Sequence, residues 1–516
     1  MNQIRRVLIV GGGTAGWLAA CHLAKKLQAQ DPNGVQVTLL ESADIPTIGV
    51  GEGTVPAIRQ SLQYLGISET EFVRECDVTF KQSIQFIDWM KPNLDGSVHT
   101  YHHLFDYPDL SSLDLTPYWL QGHAKHLSYA DAVALQGRIC DAGLAPKTML
   151  HSEFMGYTNY AYHLDAAKFA RLLTKHATTK LGVRHLLGTV QQVELASSGD
   201  IAAVHTPEHG RLTADLFIDC TGFSALLIGQ TYQIPFIAKN DVMFVDSALA
   251  VQVPYQDPEQ AIPCFTKATA REAGWIWDIG LSARRGTGYV YSSRYTTDDR
   301  AEQVLRQYLQ GAADQLSIRK ISMNVGYREK FWHRNCVALG LSQGFVEPLE
   351  ATGLLVYDAT ARMLAELFPP HTAAMSVLAE RFNQRVRLSW DKVIDFIKLH
   401  YYLSNREDSA FWIDNRDERS VPASLLDNLA QWRYQVPSAY DFHSKLEIFN
   451  LENYLYVLYG MNFPTDLVGQ EFRFQQQQKA EQMMAFYARK FAQLQPDLLP
   501  HRELIARIKK HGLQRI

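Results

Sequence analysis

The chain has 516 residues, with 50 Lys and Arg against 54 Asp and Glu, for a formal net charge of −4. With no cationic surplus to neutralise phosphates, nucleic-acid binding has no compositional support. The fractions of 47% hydrophobic and 20% charged residues are those of a globular protein with a large core, long enough for two to four domains. No window approaches the run of about 18 apolar residues that spans a membrane.

The six cysteines, Cys21, Cys76, Cys140, Cys220, Cys264 and Cys336, are scattered, with no C-x-x-C and no paired His spacing. They read as buried thiols in a reducing compartment, so neither disulfides nor a metal site are expected and the expected location is cytoplasmic. The chain runs straight into "IRRVLIV" with no charged leader followed by an apolar stretch.

"RRVLIV" at 5–10 predicts a buried strand. Gly11, Gly13 and Gly16 then form G-x-G-x-x-G, followed by helix formers in "WLAACHLAKKLQAQ". "VQVTLLE" at 35–41 predicts a second strand ending on Glu41. Gly11 permits the tight turn, Gly13 lets backbone approach a pyrophosphate, and Gly16 lets helix and strand pack closely. The N–H groups where the helix begins, at Thr14 and Ala15, face the phosphates, and Glu41 accepts from ribose hydroxyls. This is a dinucleotide-binding unit.

Further along, "PEHG" at 207–210 predicts a hairpin turn. "ADLFIDCTGF" at 214–223 predicts a strand running into Thr221-Gly222. Residues 240–330 alternate like strands. "NCVALGLSQGFVEPLEATGLLVYDATARMLAELF" at 335–368 predicts strand, turn and helix, with Leu341 after Gly340 where flavin hydroxylases often carry Asp. The helix beginning near Thr352 points its positive end toward the cofactor. Residues 355–412 and 425–510 read as mostly helical, with the four glutamines at 475–478 on a solvated face. Three cofactor-facing segments spread this widely suit an extended FAD better than NAD. The expected fold is therefore α/β: a Rossmann-like FAD-binding core with an inserted antiparallel sheet and a helical C-terminal substrate region. In boundaries, 1–360 is the core, with 91–150 and 240–330 partly on the substrate side, and 361–516 is the mostly helical cap.

Six segments, in this order, make the reading specific: "IPTIGVGEGTVPAI" at 45–58, "VTFKQSIQF" at 78–86, "YAYHLDAAKFARLL" at 160–173, "GWIWDIGL" at 274–281, "RRGTGYVYS" at 284–292 and "GFVEPLEATGL" at 344–354. Together they resemble the flavin-dependent tryptophan halogenase family from residue 5 to about 415. The Lys in "TFK", W-x-W-x-I and "EPLEATG" are the selective parts.

The resemblance implies an enzyme that uses FADH2, O2 and chloride or bromide to make hypohalous acid, which crosses an internal tunnel to Lys81. There the lysine hydrogen-bonds the oxidant or forms a haloamine. Glu350 is implied to polarise the oxidant or take the ring proton. The resemblance also implies a halide site on the backbone of Thr352 and Gly353, Leu354 against the flavin, and a strap at Gly49–Thr54, including Val50 and Gly51, between flavin and substrate. Trp275 and Trp277, on one face of a strand, are implied to hold off monooxygenase chemistry, with core packing as the plain alternative. A family active-site histidine falls at His102 or His103. Substrate residues gather around "NLENYLYVLYGMNF" at 450–463, which includes Tyr454, but the polar anchors for free tryptophan are not recognisable there.

Gly280 stands where the family has Pro, Ala351 where it usually has Ser, and Ser224 where many members have Arg. The expected substrate is thus an electron-rich, indole-like aromatic. The expected partner is a separate NAD(P)H-dependent flavin reductase acting through free FADH2, and a homodimer is allowed. The rival class is a flavin-dependent aromatic monooxygenase. It needs no such lysine and usually binds NAD(P)H itself, whereas the chain has no second dinucleotide fingerprint. A flavin-binding scaffold without turnover has no use for the lysine and glutamate.

Overall fold

The computed structural model describes residues 3–45, 51–110, 112–124, 126–310, 315–442 and 447–515. The strand Arg6–Val10, buried at all but its first residue, pairs in parallel with Gln36–Glu41 on one side and Leu216–Asp219 on the other. Arg184–Leu187 extends the sheet beyond Gln36–Glu41. Cys336–Ala338 and then the short antiparallel Trp332–His333 extend it beyond Leu216–Asp219. A parallel sheet needs covered faces. The helix Thr14–Lys26 covers one, packing against Thr352–Glu366 and Ala166–Lys180. Its Trp17, Leu18 and Leu23 are at most 1% exposed, and each contributes roughly 1.5–3 kcal/mol of burial.

The second layer is a seven-stranded sheet that runs Arg319–Ser322, Ser247–Pro254, Arg284–Tyr291, Gly274–Gly280, Thr266–Arg271, Ser83–Ile87, Thr100–Leu104. All its pairings are antiparallel except Ser83–Ile87 with Thr266–Arg271. This is the expected inserted sheet, with one difference. Within 240–330 the chain forms a helix, Asp298–Leu309, started by Thr297, whose side chain accepts from Arg300 N–H, and by Asp298 and Asp299 in the first turn. Capping and acidic first-turn residues outweigh strand-like alternation there.

A third, three-stranded sheet positions the candidate site. Its central strand Ala161–Leu164 pairs with Glu52–Gly53 on one edge and Thr79–Lys81 on the other. The C-terminal part is helical, led by the 29-residue helix Met375–Leu403 and joined by Leu451–Gly460, Gln477–Leu494 and His501–His511. Among the described residues, no helix is long and apolar enough to cross a membrane, and no cluster of three or more His, Cys, Asp or Glu could hold a metal ion. The cysteines are free, five of them buried and Cys220 half-buried.

Candidate active site

The glycine turn has the shape a nucleotide requires. Gly11 sits at φ +109°, in the region that favours glycine, and a Cβ there would lie 2.2 Å from the Cys220 carbonyl oxygen. A Cβ on Gly16 would lie 2.0 Å from the Gly11 carbonyl oxygen, so helix and strand touch only because it has none. Around Gly13, the N-cap of Thr14–Lys26, no atom would lie within 4 Å of such a Cβ. The helix's first turn carries no acidic residue. Open space before free N–H groups is a cradle for an anion. Glu41 reaches back over Gly12, where a Cβ would come within 1.6 Å of its carboxylate, and lies 2.7 Å from His185 Nε2. Burial pushes the Glu41 carboxyl up, against the pull of His185. Gly340, which precedes Leu341, packs so closely that its Cβ would lie 2.8 Å from that of Ala15. The segments around 11–16, 220–222 and 340–342 thus meet at one place, and the residues present fit a dinucleotide.

Lys81 ends the edge strand Thr79–Lys81 and is 1% exposed. Its Nζ lies 5.2 Å from the centre of the Phe105 ring. A Cβ on Gly53 would be 3.2 Å from that Nζ and 3.7 Å from Ala351 Cβ, so lysine and Glu350 turn flank one glycine. Burial lowers the Lys81 ammonium to about 8, against the favourable field of Glu350. Among the described residues nothing accepts a hydrogen bond from Nζ. Lys147 provides the contrast: equally buried, it donates to Glu69 at 2.8 Å, the Ser152 carbonyl at 2.9 Å and Tyr160 at 3.2 Å. A buried amine without its hydrogen bonds is costly, so Lys81 is not explained by packing. His163 is fully buried between Thr79 and Thr266, and burial first, then Lys81, holds it well below the usual imidazole range.

Glu350, also 1% exposed, is held from two elements. His103 Nδ1 on Thr100–Leu104 lies 3.0 and 2.9 Å from its two oxygens. His400 Nε2 on Met375–Leu403 lies 3.0 Å from Oε1. Burial alone would raise the carboxyl, but the two imidazoles outweigh it and hold it down to about 2. His103 is therefore the histidine at this site. Its neighbour His102 faces the other side of the strand, with Ser83 at 2.9 Å and Asp141 at 3.1 Å.

The turn then enters the helix Thr352–Glu366. Ala351, the N-cap, is left-handed at φ +55°, and Thr352 and Gly353 open the helix with N–H groups free of intrahelical acceptors. Thr352 Oγ1 donates to the Glu347 carbonyl at 3.3 Å. Leu354 shares a small cavity of about 10 Å³ with Thr54 and Val55, at the end of the strap. Gly51 lies near Leu281, and Val50, with Gly49, falls outside the described residues.

Glu347 is neither helix cap nor surface charge: it is fully buried, accepts from Tyr401 Oη at 2.8 Å and Trp275 Nε1 at 3.3 Å, and burial pushes it up to about 7. Trp275 thereby braces the turn. Trp277 lies over Gly288, where a Cβ would meet its ring at 2.1 Å, and does not reach the lysine and glutamate through any contact among the described residues. Tyr454 packs on Phe396 at 4.9 Å, and Phe396 packs on His103 at 5.7 Å, so Tyr454 stands one ring behind the site. At Gly280 a Cβ would lie 2.7 Å from Ile262, so the backbone there is closely packed, beside a cavity of about 370 Å³ with Asp278, Arg285 and Tyr308 in its wall.

Sequence reasoning missed His400 and Asn453. Asn453 Nδ2 lies 3.0 Å from His103 Nε2. Asn453 lies inside the segment marked for substrate residues, whereas His400 lies in "KLHYYL" with no local signature.

The tryptophan halogenase family matches residues 6–473. Tryptophan 6-halogenase SttH of Streptomyces toxytricini is 37% identical over 455 residues, 84% of this chain and 85% of that one. A tryptophan halogenase structure from Shewanella frigidimarina superimposes with a TM-score of 0.95 at 42% identity, covering 100% of this chain and 99% of that one. Xcc4156, a flavin-dependent halogenase from Xanthomonas campestris, does so at 0.88 and 34%, covering 100% and 99%. Family match, identity and fold agree over nearly the whole length, and they favour halogenation over hydroxylation: the chain belongs to the tryptophan halogenase family, flavin-dependent enzymes that halogenate aromatic rings.

Proposed function

We propose that this enzyme halogenates an electron-rich, indole-like aromatic at a chamber formed by Lys81 and Glu350, with chloride or bromide as the halide. The observation that carries it is the pair itself. A buried lysine with no acceptor among the described residues faces a buried carboxylate that two histidines hold. The names of the relatives, tryptophan halogenases, support an indole ring.

FAD would be held by Gly11, Gly13, Thr14, Ala15 and Gly16 at the pyrophosphate and by Glu41 at the ribose, with Leu341, Gly51 and Leu354 along its length. Thr352 and Gly353 N–H groups would hold the halide. When bound and reduced by a separate flavin reductase, the cofactor with O2 and halide supplies hypohalous acid. Lys81 receives that molecule. As an ammonium it donates to the hypohalous oxygen and sharpens the halogen's positive end; as a neutral amine it accepts the halogen as a haloamine. The ring attacks the halogen, the halogen–oxygen or halogen–nitrogen bond breaks, and Glu350 takes the proton from the substituted carbon. Ring, oxidant and proton thus balance to haloarene and water. Phe105 and Phe396, backed by Tyr454, wall the chamber with apolar surface, which excludes water that would destroy the oxidant.

The test is purified protein with FAD, NADH, a generic flavin reductase, bromide or chloride and a panel of indoles and phenols, read by mass spectrometry. Halogenated indole products are expected. Hydroxylated products, or none across the panel, would overturn the proposal.

A further inference from the structure

The bonds around Glu350 fix where the protons sit. The Asn450 N–H donates to Asn453 Oδ1 at 2.9 Å, so Asn453 turns its NH2 to His103 Nε2 at 3.0 Å. That nitrogen accepts, and His103 therefore carries its hydrogen on Nδ1, where it donates to the Glu350 oxygens. His103 thus bonds Glu350 through its Nδ1 hydrogen and Asn453 through Nε2.

His400 is arranged differently. Its Nδ1 lies 2.9 Å from the Phe396 carbonyl, one turn back on the same helix. A carbonyl only accepts, so Nδ1 is a donor. Its Nε2 then faces Glu350 Oε1 at 3.0 Å, and two heavy atoms this close bond only when a proton lies between them. The rings of Phe86, Trp89 and Phe396 surround His400 at 4.8, 6.2 and 5.1 Å, and the imidazole is fully buried.

Resting on the proposed role of Glu350, we propose that Glu350 and His400 share one proton as a pair, with His400 the positioning residue that sets how strongly Glu350 holds it. The pair, rather than the carboxylate alone, collects the proton from the ring. In that step the C–H bond at the halogenated carbon breaks, its electrons return to the ring, and the proton lands on Glu350 Oε1 and is shared with His400 Nε2. While His400 is already protonated, the carboxylate is a weak base. Once His400 has lost its proton, two acceptors face each other in a dry site and the carboxylate becomes a strong base. Turnover therefore rises with pH as the pair empties.

The other groups facing the pair are Lys81 from Thr79–Lys81, with His163 behind it, Tyr101 and His103 from Thr100–Leu104, and Asn453 from Leu451–Gly460. Tyr401, next to His400, is turned to Glu347 on the far side of the turn. Of these, Lys81 is the cation that loses its charge near pH 8, and repeating the histidine spectra in the Lys81→Met background, which needs no turnover, separates its effect from that of the pair.

The test compares H400Q with E350Q on indole and on ring-deuterated indole, with bromide and an added reductase. Gln at 400 donates permanently and cannot move a proton. H400Q should turn over about ten- to a hundredfold more slowly with KM within about twofold, show a primary deuterium isotope effect absent from the parent enzyme, and lose the rise of rate with pH. A merely structural role for His400 would slow the reaction but leave the rise of rate with pH in place. In the cofactor-free protein labelled with ¹⁵N-histidine, the imidazole lost in H400Q should show an Nε2 proton coupled to Glu350, and His103 should show a hydrogen on Nδ1. If H400Q does not fold, H400N carries the test, because its amide likewise cannot move a proton.

H400Q, or H400N in its place, with parental rate, pH profile and no isotope effect, while E350Q is inactive, would overturn the shared proton and leave the Glu350 role standing. Parental turnover in E350Q would overturn the Glu350 role itself.

Discussion

Replacing Lys81 with Met keeps similar bulk, one atom shorter, and removes the charge. The ammonium sits 1% exposed beside Phe105 and is held to about 8 rather than its usual 10.5. Carrying its proton therefore costs about 3 kcal/mol more in the folded protein than in the unfolded chain. The sign follows from proton counts. Between pH 8 and 10.5 the unfolded chain binds more protons, so stability climbs with pH across that window, and below pH 8 the cost stands in full. At pH 7 the Met variant should thus be more stable by about 3 kcal/mol. For a chain of 516 residues, whose unfolding entropy is about 1 kcal/mol/K, this raises the melting temperature by about 3 °C. Scanning calorimetry of the cofactor-free protein at pH 7 and pH 10 measures it, and the gap should shrink at the higher pH. A Met variant that melts below the parent at pH 7, or a gap independent of pH, would refute the reasoning. The lysine is then a residue kept at the expense of stability, as functional groups are.

Glu350→Gln should lower product formation by about 10²- to 10⁴-fold, the range of a lost general base, with FAD binding by fluorescence quenching unchanged. Gly16→Ala should abolish that quenching and lower the melting temperature, because the new Cβ would lie 2.0 Å from the Gly11 carbonyl oxygen; unchanged quenching would remove the glycine turn from the cofactor site. NADH alone, followed by flavin absorbance, should not reduce bound FAD at a useful rate, whereas an added reductase should support turnover; rapid reduction by NADH alone would contradict the separate-reductase reading.

The parts of this fold that are legible in sequence are those set by neighbours in the chain. The glycine spacing at 11–16, the alternation of the strands on either side and the helix starting at Thr352 are local, and each lies where its pattern places it. Asp298–Leu309 is an exception in which capping chemistry overrode an apparent alternation. The choice between His102 and His103 was not legible because adjacent strand residues face opposite sides. Only the register of Ser83 against Leu104 and Ile84 against His103 settles which side holds Glu350. Glu347 and Glu350 look alike in a turn of eleven residues, yet one is braced by Trp275 and Tyr401 and the other by His103 and His400. Those partners come from strands and helices far along the chain: His103 lies 247 residues from Glu350, and Asn453 lies 350 residues from His103. No spacing rule reaches so far, and only the packed fold brings the four together.

The central claim is that Lys81 handles the oxidant in a chamber apart from the flavin. The most direct measurement is Lys81→Ala with FAD, reductase, NADH and bromide, following oxygen consumption and brominated indole in the same reaction. Oxygen uptake close to that of the parent with no brominated product is the predicted result. Normal product formation by Lys81→Ala would contradict the account.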